Sequence, residues 1–157
     1  MTQMHIAVQT DDFDVAKEYA HLRENNSQDG AIVFFSGLVR EMNQGHGVTG
    51  LFLEHYPGMT EKSLHDIAQQ ASERWPLTHI RIIHRIGQLQ VSDQIVFVAT
   101  SSAHRESAFA SCHFIMDYLK NQAPFWKKET REEGDEWVAA LEKDETALEK
   151  WQEKGEK

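Results

Sequence analysis

Apolar residues along this chain change their spacing from segment to segment, which predicts a mixed order of strands and helices rather than a uniform βα repeat. A short strand is predicted at His5 to Val8, then a helix over Phe13 to Arg23. Within Gly30 to Arg40 the run AIVFF is apolar on both faces, the pattern of a central strand, and it ends in Gly37-Leu38-Val39-Arg40. Gly45, Gly47 and Gly50 mark Glu41 to Gly50 as a permissive, mobile loop before a strand at Leu51 to Tyr56. After Pro57-Gly58, Thr60 has the chemistry of an N-cap, and Leu64, Ile67, Ala68, Ala71 and Trp75 repeat helically up to Pro76. Strands at His79 to Arg85 and Gln94 to Thr100 are joined through the turn residues Gly87 and Ser92-Asp93. Ser102 reads as the N-cap of the main helix. Its Ala108, Phe109, Cys112, Ile115, Met116 and Leu119 share one stripe, and it ends before Pro124.

Past that break, Phe125 to Glu129 reads as extended, and a period of two puts Phe125, Lys127 and Glu129 on one face with Trp126 and Lys128 on the other. From Thr130 to Lys157 ten acidic residues face five basic ones, yet Trp137, Ala140, Leu141, Leu148 and Trp151 still repeat helically. A docked amphipathic helix with a frayed end is expected there. The fold class is α+β, a mixed or antiparallel sheet packed with helices. Residues 1–157 are read as one domain with an acidic helical tail from about 138.

Composition narrows the functions this fold could serve. A chain of 157 residues buries roughly 70% of its unfolded surface and needs no disulfide or metal staple. A net charge of −9 argues against non-specific binding to nucleic acid or anionic membranes, so an anionic ligand must be met by local positive charge. Neither a signal peptide nor a run of ~20 apolar residues is present, which points to a cytoplasmic protein. Cys112, the single cysteine, excludes an intrachain disulfide and a thiolate-rich metal site. Its place in the helical stripe predicts a buried, inert thiol. No histidine pair has zinc-like spacing with other ligands beside it, so neither metal nor cofactor is expected.

Candidate chemistry gathers around Pro124, where Lys120 and Lys127 bracket the segment DYLKNQAPFWKKE. One reading makes both lysines solvated charges at a helix end, complementing the macrodipole. The other has Pro, Phe and Trp strip water from an amine, which lowers its pKa until it serves as acid, base or nucleophile. Lys127 fits the second better, because Phe125 and Trp126 predict burial and Glu129 lies within reach. A second group is Ser101-Ser102-Ala103-His104-Arg105, which reads either as an ordinary cap or as an anion site of free N–H groups, helix dipole and guanidinium. Arg40 closes the apolar strand ahead of the glycine segment, where it is a strand-end charge or a ligand contact. His84-Arg85, before the Gly87 turn, is equally ambiguous. Arg105 and Lys120 lie about 22 Å apart on one helix, too far to share a small substrate. Either two sites exist or a two-fold dimer composes one from two chains.

Four strings, LEHYPGMTEKSL (Leu53 to Leu64), HRIGQL (His84 to Leu89), SSAHRESAF (Ser101 to Phe109) and FIMDYLKNQAPFWKKE (Phe114 to Glu129), together resemble the large, catalytic subunit of molybdopterin synthase. The resemblance runs in order from about Gly30 to Trp137. It implies an α/β hammerhead fold and a central homodimer with a small ubiquitin-like sulfur-carrier subunit at each end, a heterotetramer. That partner's C-terminal Gly-Gly thiocarboxylate would supply sulfur to cyclic pyranopterin monophosphate, twice, to form the dithiolene of molybdopterin. By the family's pattern Lys120 and Lys127 match the catalytic lysines. Leu38, Val39, Arg40, His104, Arg105, Lys128 and Glu129 match substrate-contacting positions, with the two lysines among them. Ser92 departs from the pattern, since many members have glycine there. Two further readings compete: a non-catalytic dimer that binds a ubiquitin-like tail or a phosphorylated metabolite, and a Schiff-base lyase using Lys127.

Overall fold

In the computed structural model, which describes residues 1–43, 45–131, 134–138, 147–149 and 151–152, the chain begins with β1 (Gln3–Gln9), α1 (Val15–Arg23) and β2 (Ala31–Leu38). It continues through β3 (Met42–Asn43), β4 (His46–His55), α2 (Met59–Arg74), β5 (Leu77–Arg85), β6 (Gly87–Gln90) and β7 (Gln94–Ser102). Last come α3 (Arg105–Gln122), β8 (Phe125–Arg131) and β9 (Glu136–Val138). The α+β class expected from the spacing holds. Among the described residues no helix is long and apolar enough to cross a membrane.

Four strands form one sheet in the order β1-β5-β7-β2, with β1 parallel to β5 and the other pairs antiparallel. Alternation along β5 and β7 separates two packing layers. Ile80, Ile82, Val96 and Val98 meet Leu64, Ile67 and Ala71 of α2 and Cys112, Ile115 and Leu119 of α3. On the opposite face Ile83, Phe97 and Ala99 meet Leu22 of α1 and Phe13. Each fully buried Leu or Ile contributes about 1.5–3 kcal/mol relative to exposure. A second sheet centres on β4, which pairs with β3, β6 and β8, while β9 adds to β8. Val39, Leu51, Leu53 and Leu89 fill its core.

Several boundaries differ from the sequence reading. AIVFF, expected at the centre of a sheet, forms the edge strand β2 with Phe34 and Phe35 exposed, and β5 and β7 hold the interior places. Much of the segment read as a mobile glycine loop is hairpin, because β3 and the start of β4 pair Met42 with Gly47. Helix α2 starts at Met59 and its N-cap is Gly58, not Thr60. Gly58 takes a positive φ of 84°, its N–H donates to the Glu61 carboxylate at 2.6 Å, and Thr60 Oγ1 accepts from the Tyr56 N–H at 3.1 Å. Helix α3 is capped by His104, not Ser102, because sheet contacts claim both serines: Ser101 Oγ accepts from the His79 N–H and Ser102 Oγ donates to the Pro76 carbonyl. On α3, Phe109 is exposed, whereas Phe114 and Tyr118 are buried. Trp137 lies in β9 rather than in a terminal helix, while Ala140 and Leu141 fall outside the described residues. Leu148 and Trp151 do dock. They join the main core, where the Trp151 indole N–H donates to the Asp117 carboxylate.

Candidate active site

Residue-by-residue backbone preference around Pro124 creates the geometry that carries the lysines. Ala123 precedes a proline, which disfavours helix, and it turns extended at φ −74°, ψ 130° while its N–H closes on the Leu119 carbonyl. Lys120 is left in the last turn of α3 and β8 begins at Phe125. Strand β8 lies between β4 and β9, with Lys127 in register with Leu53 on one side and Val138 on the other. Its backbone is thereby fixed, and the period of two sends Phe125 and Lys127 to the same side.

That side is a pocket of about 410 Å³ lined by Leu38, Arg40, Lys120, Lys127, His84 and Phe125, together with Phe35, Ile95, Met116 and Leu119. Its size and mixed lining suit a small ligand with an anionic part. Register shifts between Gly37 and Leu38 where β2 leaves β7, and such bulges re-aim the side chains that follow. Leu38 and Arg40 reach the pocket, whereas Val39 points into the core of the second sheet, its N–H donating to the Asp93 carbonyl. Lys120 is exposed and Lys127 half-buried.

Other residues matched to the site lie elsewhere. Lys128 faces away, its Nζ 5.8 Å from the Phe52 ring centre and 5.5 Å from that of Trp137, its register neighbours on β4 and β9. Glu129 is buried. Its carboxylate accepts from Arg131 Nε at 2.9 Å and Nη2, and from Asn43 Nδ2, so it ties β8 to the β3 hairpin. His104 and Arg105 are exposed at the far end of the 18-residue α3, as the helical spacing required.

His84, ambiguous at its strand end by spacing alone, is buried and lines the pocket. Its ring stacks on Phe125 with centres 3.7 Å apart and planes 16° from parallel. Nδ1 lies 2.8 Å from the Arg85 carbonyl, which can only accept, so Nδ1 carries the hydrogen. Burial pulls the imidazole down to about 3, with the charges of Lys127 and Lys120 adding to that and the Arg85 carbonyl opposing it. A neutral ring results. The available signal was the alternation Ile80, Ile82, His84, which puts this histidine on a core-facing side of β5. Cys112 behaves as its stripe predicted: it is in the core, and burial pushes its thiol up to about 12.

Comparison with known proteins agrees with this architecture. The family described as MoaE protein matches residues 8–122. A molybdopterin synthase catalytic subunit from Vibrio cholerae is 56% identical over 147 residues, covering 94% of this chain and 97% of that protein. Its counterpart from Escherichia coli is 52% identical over 151 residues, 96% of this chain and 100% of the relative. Among solved structures, a molybdopterin biosynthesis MoaE protein from Burkholderia ambifaria superposes with a TM-score of 0.81 at 51% identity, covering 97% of this chain and 99% of that one. A molybdopterin synthase from Staphylococcus aureus gives a TM-score of 0.77 at 37% identity over 88% of this chain and 98% of that one. With the match spanning most of the sequence and near full-length relatives more than half identical, this chain belongs to the MoaE protein family of molybdopterin synthase catalytic subunits.

Proposed function

We propose that this chain transfers sulfur from the C-terminal thiocarboxylate of a small ubiquitin-like partner to cyclic pyranopterin monophosphate, twice, to build the dithiolene of molybdopterin. The observation that carries the reading is the shared pocket in which Lys120, Lys127 and Arg40 put three cationic side chains around one cavity in a chain of net charge −9. Thiocarboxylate sulfur attacks an oxygen-bearing side-chain carbon of the pterin, whose carbon–oxygen bond breaks as the oxygen takes up a proton and leaves; water then cleaves the resulting thioester, releasing the partner as its carboxylate and leaving the sulfur on that carbon. Lys127 moves the protons of this exchange. Lys120 stabilises the developing negative charge or briefly holds the tail. Sulfur must come from outside because the only thiol is buried and held protonated. The same reading places residues 1–157 in the cytoplasm as one catalytic domain.

His104 and Arg105 enter this scheme from a second copy. Two features support a homodimer with composite sites. Strand β2 is an edge whose Phe34, Phe35 and Leu38 are exposed, and Phe35 and Leu38 also line the pocket, so a copy seated there would help close it. The substrate's phosphate then meets Arg40 from one chain and His104 and Arg105 from the other, with Val39, Lys128 and Glu129 framing the strands that carry the contacts.

The test mixes this chain with a partner ending in a Gly-Gly thiocarboxylate and the cyclic pterin, and follows dithiolene product. Lys127→Ala and Lys120→Ala should each lower kcat by about 10²–10⁴ while the complex with the partner stays intact. Full turnover in either variant refutes its assigned role. An intact complex that never yields product refutes the reaction.

A further inference from the structure

The pocket contains a ring pair that the lysine chemistry leaves unused. His84 on β5 and Phe125 at the start of β8 stack at 3.7 Å, joining the two sheets beside the cavity. His84 is itself anchored through Nδ1 to the Arg85 carbonyl, and Arg85 is anchored by donating to the Gln94 and Thr10 carbonyls. Phe125 is two residues from Lys127 on the same side of β8, so whatever holds the Phe125 ring also sets the direction from which that amine enters the pocket. We propose that His84 is the positioning residue for Lys127, acting through its stack on Phe125. A reacting amine displaced by a fraction of an ångström loses rate steeply, which is why such a support belongs beside it. Burial keeps the ring uncharged, so it supports Lys127 without adding a fourth positive charge to the pocket. It also removes His84 as a base at neutral pH.

The kinetic arm of the test rests on the sulfur-transfer reading, and a second arm does not. His84→Asn keeps a side-chain N–H for the Arg85 carbonyl but loses the ring, whereas His84→Phe keeps a ring and loses the donor. In the full chain with its thiocarboxylated partner, His84→Asn should lower kcat about tenfold or more with the pterin KM within about twofold, and His84→Phe should recover most of that loss. Independently, labelling of the chain alone by trinitrobenzenesulfonate, read peptide by peptide, should change at least about threefold at Lys127 in His84→Asn and not at exposed Lys17 or Lys62. If the unaltered chain makes no dithiolene, the reaction assignment fails and the labelling still decides the positioning role. Unaltered labelling at Lys127 in His84→Asn, or His84→Phe as impaired as His84→Asn, overturns the proposal. Should His84→Phe not fold, Phe125→Leu removes the stack from the other side. It should match His84→Asn, with no further loss in the double variant; additive losses overturn the idea.

Discussion

Replacing Glu129 with alanine removes the acceptor of three hydrogen bonds and strands a guanidinium. The Arg131 side chain is 10% exposed and that of Glu129 6%, so the pair is screened little by solvent. Deleting one member of a buried ion pair costs about 3–5 kcal/mol, mostly because the other charge is left without a counterpart. Arg131 also reaches the exposed Glu136 at 3.4 Å, which reduces the expected loss to about 3 kcal/mol. In a chain of this size that lowers Tm by about 6–12 °C. Glu129→Gln keeps the shape and an acceptor and should lose about half as much. Thermal unfolding followed by circular dichroism near pH 7 measures both. Adding Arg131→Leu to Glu129→Ala should cost less than the sum of the two single changes, since no buried charge is then stranded. A fall below about 2 °C for Glu129→Ala, or strict additivity, refutes the view that this carboxylate ties β8 to the β3 hairpin.

Two more outcomes follow from the same structure. The unfolded His84 imidazole binds a proton near pH 6.5 and the folded one only near 3, so its contribution is present above pH 6.5 and lost as pH falls toward 3. Urea unfolding across that window should therefore show up to about 5 kcal/mol of extra acid sensitivity relative to His84→Asn, and parallel pH curves would contradict it. Ser92 takes a left-handed φ of 75° in the turn between β6 and β7. Ser92→Gly should relieve about 1 kcal/mol of strain and raise Tm by about 2–4 °C; a lower Tm would show that the turn is not strained.

Much of the local structure was legible because it depends on neighbours in sequence. The break at Pro124, the shared side of Phe125, Lys127 and Glu129, the buried thiol of Cys112 and the separation of Arg105 from Lys120 all follow from period, proline sterics and helical rise. Errors fell where a long-range partner intervened. Ser102 has good cap chemistry, but its hydroxyl is claimed by Pro76 at the end of β5's approach. Glycines at 45, 47 and 50 argue for a loop, yet β4 gains partners in β3, β6 and β8 that outweigh their flexibility. Arg131, two residues on, is a partner that spacing offers for the Glu129 carboxylate, whereas its bond from Asn43 emerges only with the fold.

Local spacing along the chain settles which residues alternate, where helices must stop, and that two lysines flank a forced break in the chain. Spacing of that kind is set by backbone geometry and needs no distant contact. Long-range packing puts AIVFF at an edge, turns Lys128 to Phe52 and Trp137, and brings His84 onto Phe125 beside Lys127. A run apolar on both faces demands cover without saying what supplies it. Which residues meet across sheets is settled by long-range closure, whose entropy is repaid only when the whole core assembles.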